Sequence, residues 1–302
     1  MLQLFSIFLD VVVPVFTLVF LGYVAGPALK LDVRTLSRTA YFIFVPALIF
    51  QIISRVELQA ASAAKMLVYI VLVHILCALT AFGLARMLNC SRQLSAAYVI
   101  IAVSGNVGNF GLPLIRFRFG EQALAQGTIY FLGVMVISLT ICVIAASWAR
   151  DGSSLQALIS IFKTPALIAV VPALLVNVAD IKVPLMISRV TELAGAAMVP
   201  LLLIAAGVHL AQATHTVLSA HVFMTAALRL IAAPCIALLV SFPLGIRGQE
   251  RATGILQTGM PVAIVASIIS LEYQLMPEFV ATSVLFTSVI GMLTLTVLLS
   301  LV

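Results

Sequence analysis

Long apolar runs separated by short polar breaks cover most of this 302-residue sequence. The runs are continuous and show no alternation with a period of two, so they predict α-helices and not the strands of a barrel. A helix needs roughly 20 apolar residues to cross a bilayer. The pattern predicts ten membrane-spanning helices, called spans 1 to 10 here: residues 5–26, 39–54, 64–88, 94–115, 122–149, 165–180, 187–211, 216–243, 250–271 and 278–301.

Composition and charge support an integral membrane protein. Hydrophobic residues make up 63% of the chain and charged residues 9%, whereas a soluble domain has about 25% charged residues. A chain this poor in charge cannot cover a water-exposed surface, so its outer face must contact lipid. The net charge of +6 is spread over short breaks without a basic cluster, so nucleic acid is not an expected partner. The four cysteines have no metal-ligand spacing, and we predict no metal and no cofactor.

The two halves of the chain share local features at a nearly constant separation. Pro46, in the Phe-Val-Pro of span 2, lies 154 positions before Pro200, in the Met-Val-Pro of span 7. Similar matches between spans 4 and 9 and between spans 5 and 10 give separations of 156 and 155. Five crossings per half invert the second half relative to the first. We therefore predict one transmembrane unit, 1–302, with repeat 1 at about 1–150 and repeat 2 at about 160–302.

Spans 4 and 9 each contain a segment that disfavours a regular helix. Residues 104–113 include three glycines, two asparagines and a proline, all of which destabilise a helix interior. Residues 257–263 of span 9 read Gln-Thr-Gly-Met-Pro-Val-Ala. In lipid, the freed backbone groups must bond to protein or line a water-filled cavity. Both interruptions are therefore predicted to face the protein interior at equivalent depth.

Two helix starts inside the membrane favour a binding site for an anion. Such starts present unpaired N–H groups with partial positive charge, and two of them at the midplane bind an anion without a buried lysine. At a separation of 156, Gly105 corresponds to Pro261 and Asn106 to Val262. The alternative is that these glycines and asparagines only allow close helix packing. The predicted substrate-binding residues are Gly105, Asn106, Asn109, Pro113, Arg229, Gln257, Pro261 and Val262.

Two ionisable residues lie deep in predicted spans, where charge is costly and is associated with function. Arg229, in span 8, can attract the substrate or pair with a carboxylate. Alternatively, it forms a structural ion pair or extends to the membrane surface. His74, in span 3, can relay protons and would make H⁺ the coupling ion, or it is a neutral core histidine.

Short motifs occur in order along nearly the whole chain. They are Val-Val-Pro at 12–14, Phe44-Val45-Pro46, Asn106 with Gly111-Leu112-Pro113, Arg229-Leu230 with Pro234, Gly245-Ile246-Arg247-Gly248, Gln257 with Met260-Pro261, Glu272-Tyr273, and Thr282 and Phe286 with Gly291-Met292-Leu293. In this order they resemble the auxin efflux carrier family, which includes the plant PIN auxin transporters and bacterial homologues.

The resemblance implies an all-α integral membrane fold of ten helices in two inverted five-helix repeats, with crossing broken helices 4 and 9. This is the bile-acid-symporter-like, NhaA-like fold. It also implies a scaffold of spans 1, 2, 6 and 7, a transport domain of spans 3–5 and 8–10, and elevator-type alternating access. A homodimer, both termini outside, and the inner (plasma) membrane of a bacterium are further implications.

Residue by residue, Asn106 matches the substrate-binding asparagine of the plant carriers, and Pro261 matches their second crossover proline. Gly105 stands in place of their first crossover proline, and Val262 in place of a polar residue. The long hydrophilic loop of many plant members is absent. These departures argue against auxin itself. Bacterial members resemble carriers of malate, malonate and similar acids, so a small carboxylate or an auxin-like acid is the implied substrate.

Other functions fit the sequence less well. A sodium-coupled bile-acid-type symporter of the same fold would carry polar ion ligands beside the crossing, whereas the residues around Pro261 are mostly apolar. A channel would need a continuous polar stripe or charged rings. The motifs HExxH, GxSxG and GxxxxGK[ST] are absent, which argues against an enzyme and an ATP-driven pump. We therefore predict a secondary active or facilitative carrier of small organic anions, for efflux or uptake.

Overall fold

A computed structural model describes residues 2–55, 60–150, 165–212 and 218–302, and in these ranges the chain forms helices apart from one isolated antiparallel bridge. The boundary between the two predicted repeats and the predicted start of span 8 at 216 lie outside the described residues. The helices are α1 (2–28), α2 (Val33–Ile53), α3 (Ala60–Met87), α4 (Arg92–Val103), α5 (107–119), α6 (Glu121–Arg150), α7 (Pro165–Val178), α8 (Leu185–Ala211), α9 (Ala220–Ser241), α10 (Gly248–Thr258), α11 (Ile264–Glu272) and α12 (Pro277–Leu301).

Seven helices of the described ranges are long and apolar enough to cross a bilayer: α1, α2, α3, α6, α8, α9 and α12. They coincide with predicted spans 1, 2, 3, 5, 7, 8 and 10. Two further apolar helices, α4 and α7, are shorter. Span 4 is divided between α4 and α5, and span 9 between α10 and α11. The all-helical membrane architecture is therefore confirmed, while the count of ten spans stays a prediction.

The N-terminus of α2 lies six residues before the predicted start of span 2 because Asp32 caps it. The Asp32 carboxylate accepts a hydrogen bond from the Thr35 hydroxyl at 2.6 Å and another from the Thr35 N–H at 2.8 Å. These two bonds lower the pKa of Asp32 below its usual value. The cap lets a polar, exposed first turn with Arg34 and Arg38 precede the apolar part of the helix.

Four π-helical turns occur in the described residues, and each ends two residues before a proline. The turns are Phe8–Val12, Ala40–Phe44, Val107–Gly111 and Leu228–Ala232, and the prolines are Pro14, Pro46, Pro113 and Pro234. Proline lacks an N–H, and its ring crowds the carbonyl group of the preceding turn. A wider turn relieves both problems. The X-Pro motifs of the sequence therefore mark local widenings of the helices, two of which lie at the candidate site.

Two sets of helices pack within themselves. In the first, α1 packs along α8, and α2 packs against α7 and α8. Gly22 and Gly207 allow the α1–α8 contact, because a Cβ atom at either position would overlap backbone atoms of the other helix. In the second, α3, α4 and α6 pack against one another, and α9 packs against α3, α10 and α12. The Phe16 ring of α1 meets the Phe110 ring of α5 between the two sets, with centroids 5.1 Å apart.

Candidate functional site

The interruption between α4 and α5 crosses the interruption between α10 and α11 at the one bridge of the described chain. Gly105 pairs with Val262. The N–H of Asn106 donates to the Pro261 carbonyl oxygen at 2.8 Å, and the residue after Val262 donates in the same way, at 2.8 Å, to the residue before Gly105. Each interruption thus satisfies backbone groups of the other, as a low-dielectric environment requires.

The bridge corrects the predicted correspondence between the halves by one residue. Each interruption donates one of the two flanking hydrogen bonds and accepts the other, in the same arrangement. Gly105 therefore corresponds to Val262, at a separation of 157. The separation of 156 had paired Gly105 with Pro261. The last residues of the helices before the interruptions, Val103 and Thr258, are 155 positions apart. The first residues of the helices that follow are 157 positions apart, because the second interruption is two residues longer.

The interruption in span 4 is shorter than its composition predicted. Only residues 104–106 leave helical geometry, and 107–111 already form a π-helical turn. Gly108 and Gly111 provide room for neighbours within that turn. A Cβ atom on Gly108 would lie 2.9 Å from the Phe131 ring, and one on Gly111 would overlap a side-chain oxygen of α10. These glycines therefore serve close packing rather than unwinding.

Pro113 is buried one turn beyond the interruption, at the second position of the regular part of α5. Its effect is on the backbone, because the π-helical turn before it accommodates its ring. Pro113 thus shapes α5, while a direct role in substrate binding stays a prediction.

Asn106 and Asn109 lie at the start of α5, next to the bridge. Asn106 is 6% exposed and Asn109 is half-buried. Within the described residues neither side-chain amide forms a hydrogen bond, and no side chain caps the start of α5 or that of α11. The first N–H groups of a helix carry partial positive charge. The bridge is thus flanked by two uncapped helix starts and by donor groups of two amides.

Arg229 lies beside the bridge, in the π-helical turn of α9, and only 1% of it is exposed. Its Nε atom donates to the Met260 carbonyl oxygen at 2.8 Å, and its Nη1 atom donates to the Ala102 carbonyl oxygen at 2.7 Å. The Ala102 oxygen lies in the last turn of α4, and the Met260 oxygen lies two residues beyond the C-terminal end of α10. A Cβ atom on Gly105 would overlap the Nη2 atom of Arg229, so the guanidinium group occupies the space that glycine leaves free.

The position of Arg229 differs from both structural alternatives considered for it. No carboxylate of the described residues forms an ion pair with it, and the side chain does not extend to the membrane surface. Its Nη2 atom is buried without an acceptor in the described chain. The charge is therefore balanced by the partial negative charges of two helix ends.

Gln257 is fully buried in the last turn of α10. Its Nε2 atom donates to the Gly127 carbonyl oxygen of α6 at 3.3 Å, while its Oε1 atom, against Gly111, has no donor within the described chain. A buried acceptor without a partner is unusual in a folded protein. Gln257 thus connects α10 to α6, and its Oε1 atom stays without a hydrogen bond about one turn before the bridge.

Sequence reasoning missed three hydroxyl residues that support the two interruptions. The Thr287 hydroxyl accepts a hydrogen bond from the Val262 N–H at 3.1 Å. The Ser138 hydroxyl donates to the Val103 carbonyl oxygen at 2.9 Å, and the Tyr130 hydroxyl contacts that of Thr258. The available signal was spacing, because small residues recur every four positions in span 10, at Ser283, Thr287 and Gly291.

Two cavities lie away from the bridge. One, of about 820 Å³, is lined mainly by apolar residues of α9, α10 and α12, including Pro234 and Leu298. The other, of about 380 Å³, lies between α1, α8 and α12 and includes Phe16 and Met292. Apolar residues dominate both linings, although the larger cavity also includes Gln249 and Arg251. Neither lining includes a residue of the bridge.

Comparison with known proteins places the sequence in a family of transporters. The family described as membrane transport protein matches residues 7–153 and 150–299. A protein named as an uncharacterized transporter in Methanothermobacter thermautotrophicus is 26% identical over 299 residues, which cover 95% of each chain. Another so named, from Methanocaldococcus jannaschii, is 24% identical over 297 residues, covering 94% of this chain and 96% of the relative. The chain therefore belongs to the auxin efflux carrier family of membrane transport proteins.

Proposed function

We propose that this protein carries small organic anions and that the anion binds at the bridge. One observation carries the proposal. α5 and α11 begin two residues after Gly105 and Val262, respectively, and neither start is capped by a side chain. Uncapped N–H groups at two helix starts favour negative charge in an environment that excludes water. A carboxylate group fits both this charge and these donors.

The side chains at the bridge suggest different roles for the two interruptions. The amides of Asn106 and Asn109 can donate to carboxylate oxygens, and the positive charge of Arg229 lies beside Gly105. Val262 and Pro261 supply apolar surface and backbone support. A small acid in the range from malonate and malate to auxin-like acids fits these groups, because it presents one or two carboxylates to the donors.

We further propose an elevator-type movement between the two sets of helices. The scaffold would consist of α1, α2, α7 and α8, and the transport domain of α3–α6 and α9–α12. The contact between Phe16 and Phe110 and the 380 Å³ cavity lie between these sets. Apolar surfaces without directional bonds oppose sliding less than polar ones do. The homodimer, the outside position of both termini and the inner (plasma) membrane of a bacterium remain predictions.

Uptake of radiolabelled acids into proteoliposomes tests this function. The panel contains malate, malonate and an auxin-like acid, each with an imposed pH gradient and, separately, a sodium gradient. At least one acid is expected to enter faster than into protein-free liposomes. Asn106→Ala should slow that uptake about tenfold or more, because it removes one charge-assisted hydrogen bond to the acid. Gln212→Ala, which removes an exposed amide at the end of α8, is the matched control.

Two results would contradict the proposal in different ways. Unchanged transport of every bound acid in the Asn106→Ala variant would show that the site assignment is wrong. Binding without flux in a well-reconstituted sample would show that the protein is not a carrier of these acids.

A further inference from the structure

We infer that the Arg229 guanidinium group is a resident cation of the crossing, which holds the two helix ends that a bound sodium ion would otherwise hold. Transport would then need no sodium. The transport part of this inference rests on the proposed function, whereas the part concerning assembly of the crossing does not.

The contacts of Arg229 are those of a cation site. In transporters with interrupted helices, carbonyl groups at the C-terminal ends of half-helices coordinate sodium. Here the carbonyl oxygens of Ala102, in the last turn of α4, and Met260, just beyond the end of α10, accept hydrogen bonds from Arg229 at 2.7 and 2.8 Å. The guanidinium group therefore occupies the position between them. One covalently attached charge joins the two halves of the crossing.

The burial of Arg229 makes this arrangement necessary. An uncompensated charge inside a protein costs several kcal/mol, and the described chain offers this residue no carboxylate partner. The partial negative charges of two helix ends supply the compensation. Guanidinium suits the geometry because its planar fork presents several donors in fixed directions, whereas an ammonium group is a single charged point.

Gly105 provides independent support, because the absence of a side chain there leaves room for the guanidinium group. A Cβ atom there would overlap Nη2. The Arg229 side chain cannot withdraw without losing the bonds to Ala102 and Met260. Gly105 and Arg229 are therefore coupled. A side chain at position 105 should lower the stability of the protein, and the loss should be larger the more strongly the contacts of Arg229 hold it in place.

Thermal unfolding of the purified protein, followed in NaCl and in choline chloride at equal ionic strength, tests the assembly. The wild-type melting temperature should be the same in both salts. Arg229→Gln should lower it by about 5 °C or more in choline chloride, and NaCl should restore part of this loss. Arg229→Lys should lower the melting temperature in choline chloride less than Arg229→Gln does. Arg86→Gln, which removes an exposed arginine at the end of α3, should behave like wild type.

A double-mutant cycle tests the coupling. Gly105→Ala should lower the melting temperature clearly in the wild-type background and much less in the Arg229→Gln background, because the overlapping group is then absent. Equal effects in both backgrounds would contradict the coupling. If Arg229→Gln does not fold, the cycle can use Arg229→Lys, whose shorter head group also leaves the Nη2 position.

Uptake of an acid found to be transported completes the test. Wild-type rates in sodium and in choline should agree within about twofold, since no ion has to bind first. A sodium requirement of wild-type uptake or stability would overturn the inference, as would an Arg229→Gln variant that matches wild type in choline chloride. If no acid is transported under any condition, the proposed function fails, while the melting experiments still decide the role of Arg229.

Discussion

The two interruptions that form the bridge share a backbone arrangement but differ in their side chains. The first has three residues, including Gly105 and the uncommitted amide of Asn106. The second has five, with Pro261 and Val262, and its Val262 N–H is bonded to Thr287. The backbone is thus nearly symmetric, while the polar side chains are concentrated on the first interruption. This difference suggests that the first interruption recognises the ligand and the second supports it.

A negative charge in the first interruption tests this division directly. Asn106→Asp places a negative charge where the anion is proposed to bind, and it should weaken binding of the transported acid at least tenfold, or about 1.4 kcal/mol. Val262→Ala should change binding by less than about threefold, because a truncated apolar side chain removes no donor. Isothermal titration of both variants measures the two values. Similar losses in both would remove the distinction between the interruptions.

Alanine at the glycine of each interruption compares their tolerance for volume. Gly105→Ala should destabilise the protein by about 2–3 kcal/mol, because the added methyl group meets a guanidinium group held by two hydrogen bonds. Gly259→Ala should cost less, because its methyl group meets only the Leu298 side chain, which can rotate. Denaturant titration of the two variants gives the comparison. A larger loss for Gly259→Ala would reverse it.

The support of the second interruption should depend on Thr287. Thr287→Val keeps the shape of the side chain but leaves the Val262 N–H buried without its acceptor, at a cost of about 1–2 kcal/mol. Thr80→Val, at an exposed position of α3, is the matched control and should have little effect on stability. Thermal unfolding of both proteins measures the difference. If the two variants have the same melting temperature, the Thr287 contact does not stabilise the bridge.

The smallest effect concerns a helix start outside the membrane, where α2 is capped and the bridge helices are not. The pKa of Asp32 is lower in the folded protein than its usual value, so its stabilising contribution is present above the unfolded pKa and is lost as the pH falls through the folded value. Asp32→Ala should therefore lower the melting temperature slightly near pH 6, with a smaller difference near pH 3. An unchanged difference would show that ionisation of Asp32 is not involved.

Much of the architecture could be predicted because its causes are local. Apolar runs and their lengths located seven spans within a few residues, apart from the earlier start of α2, which depends on the Asp32 cap. Glycine and proline located both interruptions. Their width could not be predicted from composition, because Gly108 and Gly111 turned out to serve packing against Phe131 and Gln257 within a helical turn.

By itself, the sequence determined that this chain is a helical membrane protein with two interrupted helices, since composition and backbone propensity act over a few neighbouring residues. Only the tertiary structure decided that Gly105 meets Val262, that Thr287 supports that pair, and that Arg229 binds two helix ends. These contacts join residues from 25 to 157 positions apart. They depend on how helices pack, and the identity of a buried polar group does not reveal which of many possible partners the packing will bring to it.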